Sequence, residues 1–209
     1  MTTEVCLEIG AKRVFASALD WPGWCRSGKR EEEALETLAD YAGRYAPVAR
    51  RAGVRFGAKA AKDLHVVERI AGNATTDFGA PNMPARAEGA AVDASSAKRM
   101  AALVSAAWEL FDEAVAGAPA SLRKGPRGGG RDRDKIAVHV ADAAGAYARK
   151  LGITGLRHPD AVRQAILEAL SRPSKGPPVA GKGWTTRFAA RRIAWHLLDH
   201  AWEIEDRTP

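Results

Sequence analysis

The chain has 209 residues, 46% hydrophobic and 27% charged, a balance that suits a folded globular protein and excludes a wholly disordered one. No apolar run approaches the ~20 residues needed to span a bilayer, and the opening "MTTEVCLEIGAKR" lacks the basic start and apolar core of a secretion signal, so a cytoplasmic protein without membrane contact is expected. The formal net charge of +7 leaves anionic partners open, while two cysteines, Cys6 and Cys25, with no C-x-x-C pair argue against a disulfide framework or a cysteine-held zinc.

In "TEVCLEI", Val5, Leu7 and Ile9 alternate with Glu4, Cys6 and Glu8, which predicts a half-buried strand. A turn at Gly10 leads to "RVFASAL", rich in strand formers, and the Pro22-Gly23 pair of "DWPGWCRSG" breaks the run before a short third strand. From Glu31 the period changes: Ala34, Leu35, Leu38, Tyr41, Ala42, Tyr45 and Val48 recur every three or four residues, behind an acidic first turn, and predict one helix ending near Gly53. "DLHVVERI" supplies a last strand. The order β-β-β-α-β closes a small α+β domain over residues 1–71.

The stretch "ALDWPGWCRSGKREEEALETL" resembles the signature of the HicB family of antitoxin-like domains, in which a D-x-P-G-C turn precedes a serine-glycine step and a helix that opens on acidic residues. Here Lys29 and Arg30 stand where the family carries a polar helix cap. The resemblance covers roughly the first seventy residues and implies a protein partner for this module.

Residues 72–94 are rich in Gly, Ala, Pro and Asn with no sustained period and are expected to form a linker. Asp93, Ser95 and Ser96 offer caps for an amphipathic helix in which Met100, Leu103, Val104, Ala107, Leu110, Phe111, Ala114 and Val115 form one stripe. After the loop "APASLRKGPRGGGRDRD", a second helix, "KIAVHVADAAGAYARKLG", ends at Gly152; His158-Pro159-Asp160 opens a third; a fourth runs over 186–205. Four helices joined by polar loops predict an antiparallel four-helix bundle over 95–209.

On the last helix His196 and His200 differ by only ~40° around the axis, so one metal can meet both. A catalytic three-ligand site needs a third group from another helix, and His139, among Ile136, Val140, Ala143 and Tyr147, is the best placed. The competing reading is packing, because H-x-x-x-H arises often by chance. Asp199 and Glu203 can orient an imidazole or act as a base, but are expected rather as exposed partners of Arg192 and Arg207; Trp195 and Trp202, off the histidine face, are expected to pack against the N-terminal domain.

The region from Ser95 onward resembles the DinB-like superfamily of four-helix bundles, in which a histidine on the second helix and an H-x-x-x-H pair on the last bind a divalent metal. The resemblance assigns His139, His196 and His200 as metal ligands and implies Zn²⁺ or Ni²⁺, a small-molecule substrate and, in several members, a low-molecular-weight thiol cosubstrate. It implies a metal-dependent hydrolase or thiol-dependent transferase. The alternative is a non-enzymatic regulatory protein working through the HicB-like sheet.

Other signals are discounted. "GPPVAGKG" has the spacing of a phosphate loop, but Gly183 replaces the magnesium-binding hydroxyl residue. The basic loop with Arg123, Lys124, Arg127, Arg131 and Arg133 has no interleaved aromatics to stack bases, so a solvated loop is preferred to a nucleic-acid site. His65 is expected to be structural and His158 a surface cap.

Overall fold

The computed structural model describes residues 2–57, 59–125, 130–178 and 182–209. Strands Thr3–Ile9 (β1), Val14–Ala18 (β2), Cys25–Gly28 (β3) and Leu64–Ala71 (β4) form one sheet in the order β3-β2-β1-β4. β1 pairs antiparallel with β2 and β2 with β3, whereas β4 lies parallel to β1 at the edge. Parallel pairing needs a crossover, which helices Glu31–Asp40 (α1) and Ala42–Arg51 (α2) supply. The rest is helical: Ala74–Phe78 (α3), a 3-10 turn at Arg86–Gly89, Ala94–Gly117 (α4), Arg133–Lys150 (α5), Pro159–Leu170 (α6) and Thr186–Arg207 (α7). The mixed α+β class expected from the patterning is therefore present, and no helix among the described residues is long and apolar enough to cross a membrane.

Three local expectations change. The alternation in β1 predicts one solvated face, yet Cys6 and Glu8 are buried as well as Val5 and Leu7. Glu8 lies only 1% exposed because the chain after β4 returns over it: its carboxylate accepts from the backbone N–H of Asn82 and Met83 at 2.9–3.0 Å and from the Thr76 hydroxyl. The single helix expected from Glu31 is broken at Tyr41, which has φ −80° and ψ 0°. Pro47 within α2 withholds the N–H that would bond the Gly43 carbonyl, and Gly43 itself weakens helix, so the periodic pattern survives a change of axis. Segment 72–94, expected as a linker, carries α3 and the 3-10 turn and sends Glu88 into the interior, 3% exposed.

The hydrophobic core is continuous from sheet to helices, with Val5, Leu7, Trp24 and Leu38 in one cluster with Leu103, Ile136, Ile166 and Ile193. α4 packs on α7, α6 and α5, and α5 packs on α6 and α7. Asp93 starts α4 by accepting from the Ser96 N–H at 2.7 Å, and the Thr185 hydroxyl does the same for α7 at the Phe188 N–H. Pro159 begins α6, where no donor is needed, but His158 makes no capping hydrogen bond with its side chain.

α7 is buried over all of 188–198, because both sides are covered. Trp195 meets the Phe15 ring edge-on at 5.9 Å, and Trp202 meets Tyr41 at 5.1 Å, so both tryptophans do pack on the N-terminal elements. The turn before β3 is seated directly on α7. Trp24 stacks on Tyr45 and donates from Nε1 to the Leu38 carbonyl at 2.8 Å, and the Tyr45 hydroxyl donates to the Pro22 carbonyl at 2.9 Å. Gly23 has φ +91°, and a Cβ there would lie 2.6 Å from Leu198 Cδ1 and 3.1 Å from the Ala194 backbone. Gly23→Ala is therefore expected to lower unfolding stability by about 1–3 kcal/mol, from the left-handed backbone and the forced separation of turn and helix. A denaturant midpoint equal to the parent's would refute that close docking.

Candidate metal centre

His139 on α5 and His196 and His200 on α7 converge. One ligand nitrogen from each lies within 4.8 Å of the other two, and the ring centroids are 5.1, 5.1 and 4.7 Å apart. Nε2 of His139 faces Nε2 of His196 at 3.2 Å. A tetrahedral ion with metal–nitrogen distances of about 2.0–2.1 Å holds its ligands about 3.3 Å apart, so this pair already has the required spacing. His196 is 7% exposed, whereas His139 and His200 are half-buried.

Helix geometry explains the convergence. His196 and His200 are one turn apart on α7, and Ile136 and Val140 bury the adjoining face of α5, which turns His139 toward α7 rather than into solvent. Val138, on the opposite side of α5, is 61% exposed.

The third ring is oriented by a carboxylate. His200 Nδ1 lies 2.8 Å from Glu203 Oε2, and Arg207 Nη1 donates to Glu203 Oε1 at 2.7 Å. Arg207 is fixed in turn by the carbonyls of Arg123 and Arg131, each at 2.7 Å. A proton on His200 Nδ1 leaves Nε2 free as an acceptor or ligand, the usual tautomer arrangement for a metal-binding imidazole backed by a carboxylate. Glu203 is thus an orienting residue, not merely the exposed ion-pair partner expected from the sequence.

No family model, curated protein or solved structure matches this chain. The site is thus interpreted from its own chemistry.

Electrostatics disfavour protonation of His139 and His196. Burial, followed by the charges of His200 and Arg192, pushes the His196 pKa down to about 2, and burial also lowers that of His139, with His200 and Arg131 acting in the same direction. Burial opposes ionisation of Glu203, yet hydrogen bonds and charge from His200 and Arg207 hold its pKa below the ordinary carboxylate value. Three imidazoles beside an anionic carboxylate form a donor set suited to a divalent cation, and the three residues could hold one.

The surroundings sort the remaining candidates. Asp199 pairs with Arg26 at 3.0 Å, so neither it nor Glu203 meets Arg192 as expected. Tyr147 stands edge-on to His196 at 5.6 Å and against Trp184 at 5.1 Å, beside the cluster. Arg192 is 8% exposed, with its guanidinium over the rings of Trp195 and Tyr147. The sequence reading treated it as a surface charge, although its place one turn before His196 on the same stripe was a usable signal.

In the basic loop, Arg123 donates to the Asp206 carbonyl and Arg133 to the Ala118 carbonyl, fastening the loop to helix ends. Arg127, and residues 179–181 of the phosphate-loop-like stretch, lie outside the described residues. His65 is exposed on β4, and His158 is exposed and 3.6 Å from Asp160. Both cysteines are free and buried, and desolvation raises their pKa values to about 11 for Cys6 and about 12 for Cys25, so neither is a thiolate nucleophile at neutral pH.

Proposed function

We propose that His139, His196 and His200 bind a divalent metal ion, Zn²⁺ or Ni²⁺, and that the protein is a metal-dependent hydrolase or a thiol-dependent transferase. The convergence of three imidazoles on one point, with a carboxylate fixing the third, carries this reading. The 3.2 Å contact between the Nε2 atoms of His139 and His196 is a hydrogen bond in the metal-free pair, and the same spacing suits two ligands of one ion; the third imidazole converging on that point is what packing alone does not call for. The arrangement of α4 to α7, read as an antiparallel four-helix bundle of DinB-like type with a HicB-like module before it, agrees with ligands drawn from the second and fourth of those helices.

With three protein ligands, a bound metal would supply Lewis acidity and a lowered pKa for water or a thiol. The chain's own residues would hold the geometry around that chemistry. Glu203 fixes the His200 tautomer and Arg207 fixes Glu203. Burial keeps His196 unprotonated and available, and Trp195 and Tyr147 wall its ring from bulk water. Glu203, once committed to His200 and Arg207, is not free to serve as a general base.

The test is metal content of protein purified without an affinity tag, compared with a His139→Ala, His196→Ala double variant. About one equivalent in the parent, lost in the variant, supports the site. A parent that carries no metal and takes up no added Zn²⁺ or Ni²⁺ overturns it, leaves packing as the role of the histidines, and shifts attention to protein partners of the sheet.

A further inference from the structure

Among the described residues Arg192 is a buried cation with no carboxylate paired to it, its one polar side-chain neighbour being the Tyr147 hydroxyl. It is 8% exposed, and neither Nε nor Nη1 has a hydrogen-bond partner among the described residues. A desolvated guanidinium with unpaired donors is costly, so such groups in native proteins normally meet a carboxylate, a backbone carbonyl or a ligand. Burial lowers its pKa, which records the same expense.

Glu8, whose charge reaches Arg192, and Glu88 and Asp199 are each committed to another partner. Glu88 is taken by Arg191 through two hydrogen bonds, at 2.6 and 2.9 Å. Glu8 is taken by Thr76, Asn82 and Met83, and Asp199 by Arg26. What surrounds Arg192 is instead a flat aromatic wall: Trp195 lies 4.6 Å and Tyr147 5.2 Å from the guanidinium carbon, and Trp184 lies against Tyr147. Aromatic faces hold a guanidinium's plane while leaving its edge donors free for a planar or tetrahedral oxyanion.

Position gives this pairing a purpose. Arg192 lies one turn before His196 on α7, and Tyr147 touches both the guanidinium and the His196 ring. Ala143, Ala146 and Tyr147 on α5 and Trp184 just before α7 are only half-buried, so the side chains over Arg192 lie between it and solvent as a thin cover.

We infer that Arg192 is the anion-recognising residue of the three-histidine site, and that the substrate is a small molecule bearing a carboxylate or phosphate group, held by the Arg192 guanidinium while its reacting end faces the histidines. The substrate part of this inference rests on the metal-site reading above; the anion site does not. Oxyanion charge, not a particular acid, is what the guanidinium selects, and carboxylate and phosphate compete for it.

Inorganic phosphate and acetate serve as probes, with binding read by calorimetry and tryptophan fluorescence, since Trp184 and Trp195 flank the site. Parent, Arg192→Met and Arg192→Lys are compared, each with and without one equivalent of Zn²⁺, and metal uptake is measured separately. Saturable phosphate binding by the parent, weakened roughly tenfold or more in Arg192→Met and partly restored in Arg192→Lys, with Zn²⁺ uptake unchanged, is the expected result. Acetate displaces phosphate in the parent. Arg192-dependent phosphate binding without any Zn²⁺ uptake keeps the anion site and defeats the metal reading. Zn²⁺ uptake with no phosphate binding, or with equal affinity in parent and Arg192→Lys, overturns the anion site and leaves the metal reading intact. Should Arg192→Met fail to fold, the parent against Arg192→Lys comparison still decides, because Lys keeps the charge but loses the planar fork.

Discussion

If the three histidines bind Zn²⁺, saturating Zn²⁺ should raise the melting temperature of metal-stripped protein by about 10 °C. A ligand that binds only the folded state stabilises it by about 4 kcal/mol at 1,000 times its dissociation constant, and a chain of this size gains about 2–4 °C per kcal/mol. His139→Ala and His196→Ala should each remove most of the shift. The metal-free protein should also lose stability in acid in a defined direction. His196 titrates near 2 when folded and near 6.5 when unfolded, so the unfolded chain takes up a proton that the folded one refuses. The stability contributed by the neutral ring is full above pH 6.5 and declines as pH falls toward 2, by on the order of 1 kcal/mol per pH unit; His139 acts with the same sign. Thermal melts at pH 5 and 7, in chelator and in Zn²⁺, check both statements. Identical melting temperatures with and without metal at pH 7 would sink the first, and a pH-independent metal-free melt in His196→Ala and parent alike would sink the second.

Glu88→Ala should cost about 3–5 kcal/mol, and Arg191→Met about as much. Arg191 is 2% and Glu88 3% exposed, and every polar atom of the pair is used. Arg191 donates to both Glu88 oxygens, to the Met83 carbonyl at 2.9 Å and to the Ser17 hydroxyl at 3.2 Å, while the Ala85 N–H donates to Glu88 at 2.7 Å. Removing one partner strands the other's charge in a dry interior, and that unpaired charge, not the lost attraction, sets the magnitude. The double variant Glu88→Leu, Arg191→Met should therefore recover much of the loss. Equilibrium denaturation of the two single variants and the double gives the coupling energy; additive losses would show that the two residues act independently.

How much of this was legible beforehand follows from what kind of pattern each feature leaves. β4 and the stripe of α4 were readable because burial on one face imprints a period on the chain, β1 and β2 because strand formers cluster between turn signals, and the end of α5 and start of α6 because Gly152 and Pro159 mark them. The three histidines were readable because one helical turn separates two of them and the third lies on an apolar face of another helix. Elements held by contacts remote in sequence left no such mark. Glu8 looked like the solvated side of a strand because Thr76 and Asn82, which cover it, are over sixty residues on, with separations of 68 and 74. Segment 72–94 looked like a linker because its structure hangs on Glu88, whose partner Arg191 is 103 residues away. Arg192 looked like a surface charge because nothing in a local window shows that α7 is covered on both sides.

That double covering of α7 also sets an order of events in folding. The contacts that finish the sheet half, Ser17 with Arg191, Arg26 with Asp199 and Gly23 with Leu198, span 173 to 175 residues of chain, and all end on the same late helix. Closing loops of that length is an entropic toll that local helices such as α4 to α6 do not face. Without α7 docked, Phe15, the Pro22-Gly23 turn and Glu88 would lack the partners that cover them in the native structure. Thr186–Arg207 is therefore the keystone of the chain: the segment whose docking turns a collection of elements into a cooperative unit, and the one that brings the histidines together in the same step.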